Sequence, residues 1–313
     1  MIFDVIVMAA SLVNLFCLIA VGFAAARFGL VPQAASASFS ALLMKVTLPC
    51  TTFMSLALRE YDPAFIRDSL MIIAIGLVVF PLALFSSKLL ASLLGVRQGR
   101  RGLWIFCCTF SNSGFMGFPM ALALFGNEGL ALSVMLNITF SLYAFTIGVM
   151  EINSDSGAKA GKFDWRSILF SNINIALVLS LIVYFGRLTI PSILTAPLIH
   201  LSQITTPLSM VITGMALGKN RGKNLFTDRD VWTSAAVRLL IYPLAICLVL
   251  RFLPLSNPLV AAVAALIFAM PAPSTAAVLS EMYHGDSELA AKILFLHNLL
   301  CVVTIPMVCL TLP

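Results

Sequence analysis

Two short segments carry most of the chemistry this sequence can offer. One reads Ser111-Asn112-Ser113-Gly114-Phe115-Met116-Gly117-Phe118-Pro119, the other Met270-Pro271-Ala272-Pro273-Ser274-Thr275. Both lie inside apolar runs long enough to cross a bilayer. Pro119, Pro271 and Pro273 each remove a backbone donor and disrupt the preceding turn. Lipid cannot pair with the groups so released, which must therefore face protein or a water-filled cavity. A half-helix N-terminus carries partial positive charge and free N–H groups, which suit a carboxylate. Asn112, Ser113 and Gly114 on one break, and Pro271, Pro273, Ser274 and Thr275 on the other, are the candidate substrate contacts. Gly117 and Pro119 shape the first break. The competing reading is a pair of ordinary proline kinks.

Other polar residues fall within apolar runs. All 13 acidic residues can be placed in loops or at span ends. That argues against an antiporter that binds its cation through a buried carboxylate. Lys45 and Arg238 are intramembrane cations with two open readings: attraction of an anion into an inner vestibule, or snorkelling of long stems to the headgroups. Lys88 is read as snorkelling. His297, beside Asn298, could relay a proton or touch a substrate; a simple buried hydrogen bond is the alternative. No Gly-x-Ser-x-Gly, His-Glu-x-x-His or phosphate-cradling loop occurs, so neither an enzyme nor an ATP-driven pump is expected. The seven cysteines have no zinc or disulfide-framework spacing and read as packing residues. No cofactor or metal is expected, and sodium or proton coupling stays open.

The elements that must position these residues follow from composition. Of 313 residues 60% are hydrophobic and 10% charged, with mean hydropathy +1.04. A soluble domain carries about 25% charge, so lipid is the solvent here. Ten spans are expected, over 4–26, 36–58, 68–94, 103–125, 129–150, 168–186, 193–217, 232–252, 257–279 and 289–311. With the N-terminus outside, inner loops hold twelve Lys and Arg and outer loops four. This positive-inside bias puts both termini on the periplasmic or exterior face of the inner (plasma) membrane. The net charge of +6 sits in these loops and does not indicate nucleic acid.

The halves repeat. Val46-Thr47-Leu48-Pro49 parallels Ile204-Thr205-Thr206-Pro207 at an offset of 158, Phe80-Pro81-Leu82-Ala83 parallels Tyr242-Pro243-Leu244-Ala245 at 162, and Gly126-Asn127-Glu128 resembles Gly285-Asp286-Ser287 at 159. Pro49 and Pro207 are read as paired helix-break positions. Five spans per half is odd, so the copies must be inverted, a transporter signature. Residues 1–150 form the first repeat, 151–167 a cytoplasmic linker and 168–313 the second. Gly214-x-x-x-Gly218 is a weak signal for a close helix contact.

These segments resemble the auxin efflux carrier family in its short form, often described as malate or malonate permease-like. The resemblance rests on the Val46–Pro49 element, on Phe110–Pro119 with Leu124-Phe125-Gly126, and on Ala269–Ser274 with Glu281–Asp286. It covers essentially the whole chain. It implies an all-helical fold of two inverted five-helix repeats, like bile acid symporters and sodium/proton antiporters. Spans 1, 2, 6 and 7 would form a scaffold, and spans 3–5 and 8–10 a moving transport domain with broken helices 4 and 9 crossing. Asn112 would help bind the substrate carboxylate, and homodimers would form through the scaffold. The expected function is a secondary transporter of a small mono- or dicarboxylate by an elevator mechanism, embedded among membrane lipids. A sodium-coupled anion symporter and a non-transporting sensor of the same fold are the alternatives.

Overall fold

The computed structural model describes residues 5–32, 35–155, 171–219, 227–283 and 285–311. From residue 156 on, the 151–167 linker lies outside the described residues, as do Lys159, Lys162, Arg166, Arg221, Lys223 and His284. Among the described residues the regular structure is entirely helical. In chain order the helices are α1 (Val5–Arg27), α2 (Ala35–Ala57), α3 (Pro63–Leu93), α4 (Arg101–Thr109), α5 (Phe118–Tyr143) and α6 (Val149–Ser154). They continue with α7 (Asn172–Gly186), α8 (Ser192–Lys219), α9 (Arg229–Phe252), α10 (Pro258–Phe268), α11 (Thr275–Met282) and α12 (Ser287–Cys309). Among the described residues six stretches are long and apolar enough to cross a membrane: Ala10–Arg27, Ala35–Ala57, Pro63–Leu93, Arg101–Ser154, Arg229–Phe252 and Ser287–Cys309. The protein is therefore a multi-pass membrane protein.

Proline placement explains where these helices deviate. Three π-turns, Leu43–Thr47, Ser113–Gly117 and Val237–Ile241, each end two residues before a proline: Pro49, Pro119 and Pro243. A proline cannot donate to the carbonyl four residues earlier and its ring clashes with it. That carbonyl belongs to Lys45, Phe115 and Leu239 respectively, inside the π-turn each time, so the widened turn relieves the clash. Gly126 bends α5 with φ 67, a conformation that favours glycine.

The described chain forms two compact units. The first comprises residues up to 71, 114–138 and 164–219. Within it α1 and α8 pack backbone to backbone. A Cβ on Gly214 would stand 1.9 Å from the Ile19 carbonyl oxygen, one on Gly22 2.1 Å from that of Val211, and one on Gly218 2.7 Å from that of Phe23. The Gly214-x-x-x-Gly218 signal thus marks a real small-residue interface. Spans 2 and 7 meet as well: the hydroxyl of Thr51, two residues after the repeated segment of span 2, is 2.7 Å from that of Thr205 in span 7.

The second unit comprises residues 72–113, 139–163 and 220–313. Here the repeated segments of spans 3 and 8 meet, because Tyr242 donates its hydroxyl to the Ala83 carbonyl at 3.1 Å. Arg100 gathers three loops. Its guanidinium lies 2.7 Å from Asp286, 3.0 Å from Asp228 and 3.6 Å from Asp230. Burial opposes the charge on Arg100, but hydrogen bonds to and charges on Asp228 and Asp286 outweigh it and raise its pKa. Asp155 accepts the N–H groups of Gly102 and Leu103 at 2.8 and 2.9 Å and so caps α4. Burial raises its pKa against the pull of those amides. Lys88, expected to snorkel, pairs with Glu151 at 2.5 Å while its side chain stays 45% exposed.

Candidate substrate site at the broken helices

Helix α4 stops at Thr109. Phe110 is extended (φ −98, ψ 145), and regular structure resumes only at Ser113. Helix α10 stops at Phe268, and the chain runs without helix through Pro271–Pro273 until α11 begins at Thr275. Both interruptions fall where the two sequence segments place them. The irregular stretches bond to each other: the Asn112 backbone N–H donates to the Pro271 carbonyl at 2.8 Å. The Asn112 Nδ2 donates to Ser274 Oγ at 3.4 Å. Phe80 packs between the two ends, its ring centroid 4.9 Å from that of Phe268 and 5.8 Å from that of Phe110.

Two side chains, Arg238 and His297, handle backbone groups that the breaks release. Arg238 is 0% exposed. It donates Nε to the Met270 carbonyl at 3.0 Å and Nη2 to Phe268 at 2.9 Å, and Nη1 to Thr109 at 3.2 Å and Cys108 at 3.3 Å. Its guanidinium therefore reaches neither the headgroups nor an open vestibule. Among the described residues it pairs with no carboxylate. His297, also fully buried, accepts the Ala272 N–H at Nδ1, 3.3 Å away. A backbone N–H can only donate, so Nδ1 is bare and Nε2 carries the hydrogen. Nε2 then donates to Ser234 Oγ at 3.1 Å, while that hydroxyl donates to the Val231 carbonyl at 2.8 Å.

Other polar side-chain atoms here are buried with no partner among the described residues. They are Ser111 Oγ, Thr275 Oγ1 and, in α12, Asn298 Oδ1. A buried polar atom left unpaired costs about 1–3 kcal/mol, so each points to water or to a solute.

The second unit thus contains Asn112, Ser113, Pro271, Pro273, Ser274, Thr275, Arg238, His297 and Asn298. Gly114, Gly117, Pro119, Lys45, Pro49 and Pro207 belong to the first unit. Lys45 is exposed, and its carbonyl accepts from Asn172 Nδ2 at 3.2 Å. Sequence reasoning passed over two participants. Ser111 stands directly before Asn112 in an apolar run, a signal that could have found it. Ser234 gives no such signal, because its partner His297 is 63 residues away in sequence.

A family model described as "Membrane transport protein" matches residues 7–162 and 154–309. A protein of Methanothermobacter thermautotrophicus named as an uncharacterized transporter is 24% identical over 301 residues, which is 95% of this chain and 96% of the relative. A second protein so named, from Methanocaldococcus jannaschii, is 27% identical over 212 residues, 64% of this chain and 66% of the relative. With broken helices where the family resemblance places them and a family match along nearly the whole chain, this protein belongs to the auxin efflux carrier family of membrane transport proteins.

Proposed function

We propose that this transporter carries a small organic anion, a mono- or dicarboxylate, by an elevator-type secondary mechanism. The observation that carries the reading is the meeting of two interrupted backbones at Asn112 and Pro271, with polar atoms left over around it. Asn112 Nδ2 and the hydroxyls of Ser111, Ser113, Ser274 and Thr275 would hold the carboxylate, with Asn298 nearby on α12. Amide and hydroxyl donors without a fixed counter-charge suit an anion. The division into two compact units supports a mechanism in which one body carries the site. We assign the moving role to the unit that holds Asn112 and the supporting role to the unit that holds α1, α2, most of α5, α7 and α8.

Loop contacts support the orientation expected from charge. Arg100, Asp228 and Asp286 lie in three loops assigned to the inner face and converge. Arg59 and Glu128, 3.2 Å apart, lie in two loops assigned to the outer face. Both termini would then be periplasmic or external, in the inner (plasma) membrane. Helix α7 exposes Val178, Leu179, Ile182 and Phe185, an apolar face suited to lipid or to a second copy in a homodimer.

A thermal-shift screen of the purified protein against mono- and dicarboxylates, their amides and matched amines tests the substrate class. Stabilisation by carboxylates alone is the expected result. Stabilisation by amines instead, or by none of the panel, refutes it.

A further inference from the structure

The four carbonyls on Arg238 belong to one kind of place. Cys108 and Thr109 end α4; Phe268 ends α10, and Met270 lies two residues on. Two helix C-termini therefore converge on one guanidinium. Each C-terminus carries roughly half a negative charge, so the pair sums to about one, which a single arginine cancels. Bringing two negative ends together in a buried place is unfavourable without a cation, and no other basic side chain hydrogen-bonds these carbonyls among the described residues. Arg238 reaches them from the Val237–Ile241 π-turn, whose position Pro243 sets. Hydrogen bonding alone could be supplied by a neutral amide; cancelling the dipoles needs charge.

We propose that Arg238 is a positioning residue whose positive charge, beyond its hydrogen bonds, holds the ends of α4 and α10 together, and that the carbonyls around it form a cation cage which free guanidinium can refill once the side chain is removed. The proposal deepens the carrier reading, because the ends it holds lead directly into Asn112 and Pro271. It can fail separately, since its first readout needs no substrate.

The test uses the full-length protein with Arg238→Ala, Arg238→Lys and Arg238→Gln. In detergent, Arg238→Ala should melt about 5 °C or more below wild type. Millimolar guanidinium should restore much of that loss, while urea, a neutral molecule of the same shape, should restore none. Carboxylate flux should follow the same order, with guanidinium but not urea rescuing Arg238→Ala. Arg238→Lys should retain more stability and flux than Arg238→Gln, and this comparison decides the matter if Arg238→Ala yields no folded protein. Equal rescue by urea, no rescue by guanidinium, or Gln performing as well as Lys overturns the proposal.

Discussion

Asn112 and Pro271 come from opposite halves of the sequence, yet the N–H of one meets the carbonyl of the other at 2.8 Å. Each residue sits where its own helix has lost regular structure. One break supplies the donor and the other the acceptor, so each satisfies part of what the other leaves open. That exchange removes one donor and one acceptor from the list of unpaired groups. Among the described residues the side-chain oxygens Ser111 Oγ and Thr275 Oγ1 stay unpaired at the breaks.

Ser111→Ala should separate stability from function. The Ser111 hydroxyl is buried and has no hydrogen-bond partner among the described residues. Its removal costs no internal hydrogen bond and relieves a desolvated oxygen, so the empty protein should be equally or more stable, by up to about 1 kcal/mol. Carboxylate-induced stabilisation should shrink in the same variant. Unfolding followed with and without carboxylate checks both; a destabilised empty protein would mean that the hydroxyl is structural.

His297 is predicted to be a support and not a proton relay, because both ring nitrogens are already engaged. His297→Leu strands the Ala272 N–H and should cost about 1–3 kcal/mol. His297→Asn keeps an acceptor near the Nδ1 position and should cost less. Flux by the Asn variant should be lower than wild type but follow the same pH profile between pH 5 and pH 8. Loss of a pH-dependent limb in that variant would assign the proton relay to His297 after all.

Gly214→Ala should separate α1 from α8. The added carbon would stand 1.9 Å from the Ile19 carbonyl oxygen, a backbone atom that cannot swing aside. A loss of about 2–3 kcal/mol or more is expected. Gly114→Ala, whose added carbon meets only Leu48 Cδ1 at 3.8 Å, should cost less than about 1 kcal/mol by that contact. Thermal unfolding of both variants in one detergent gives the comparison.

Arg100→Ala leaves Asp228, Asp230 and Asp286 facing one another with their shared cation gone. These groups are partly exposed, so screening limits the loss to about 1–2 kcal/mol. The raised pKa of Arg100 keeps it charged throughout the neutral range: its contribution is fully present below its unfolded pKa and fades only as pH rises through the folded one. The difference between wild type and variant should therefore depend on salt and not on pH near neutrality. Raising ionic strength from about 0.05 M to about 1 M should narrow it; a gap indifferent to salt would mean that the cluster acts by packing.

The readable parts of this protein are those where local chemistry decides. Pro271 and Pro273 place the break at 269–274, because a missing N–H acts on the same turn in any context, whereas Pro119 accounts for the π-turn over Ser113–Gly117 that follows the break at 110–112. Hydropathy places the helices, and the expected junction between the spans 103–125 and 129–150 is marked by Gly126, where the backbone leaves the helical region (φ 67, ψ −160). Arg238 shows what the sequence conceals. A buried arginine reads as an isolated charge until the ends of α4 and α10 are brought to it, and those partners lie 129 and 30 residues away. The role of Ser234 and the pairing of Lys88 with Glu151 are hidden for the same reason. Gly214 lies between: its spacing suggests a close contact, but only the fold names α1 as the neighbour.

Uptake of radiolabelled carboxylates into proteoliposomes, with wild type and Asn112→Ala reconstituted at equal density, tests the central claim most directly. The wild type should move at least one member of a mono- and dicarboxylate panel. Asn112→Ala should keep its fold through the backbone bond to Pro271 and lose that flux by about tenfold or more. Undiminished transport by Asn112→Ala, for every carboxylate the wild type carries, would contradict the placement of the substrate at the broken helices.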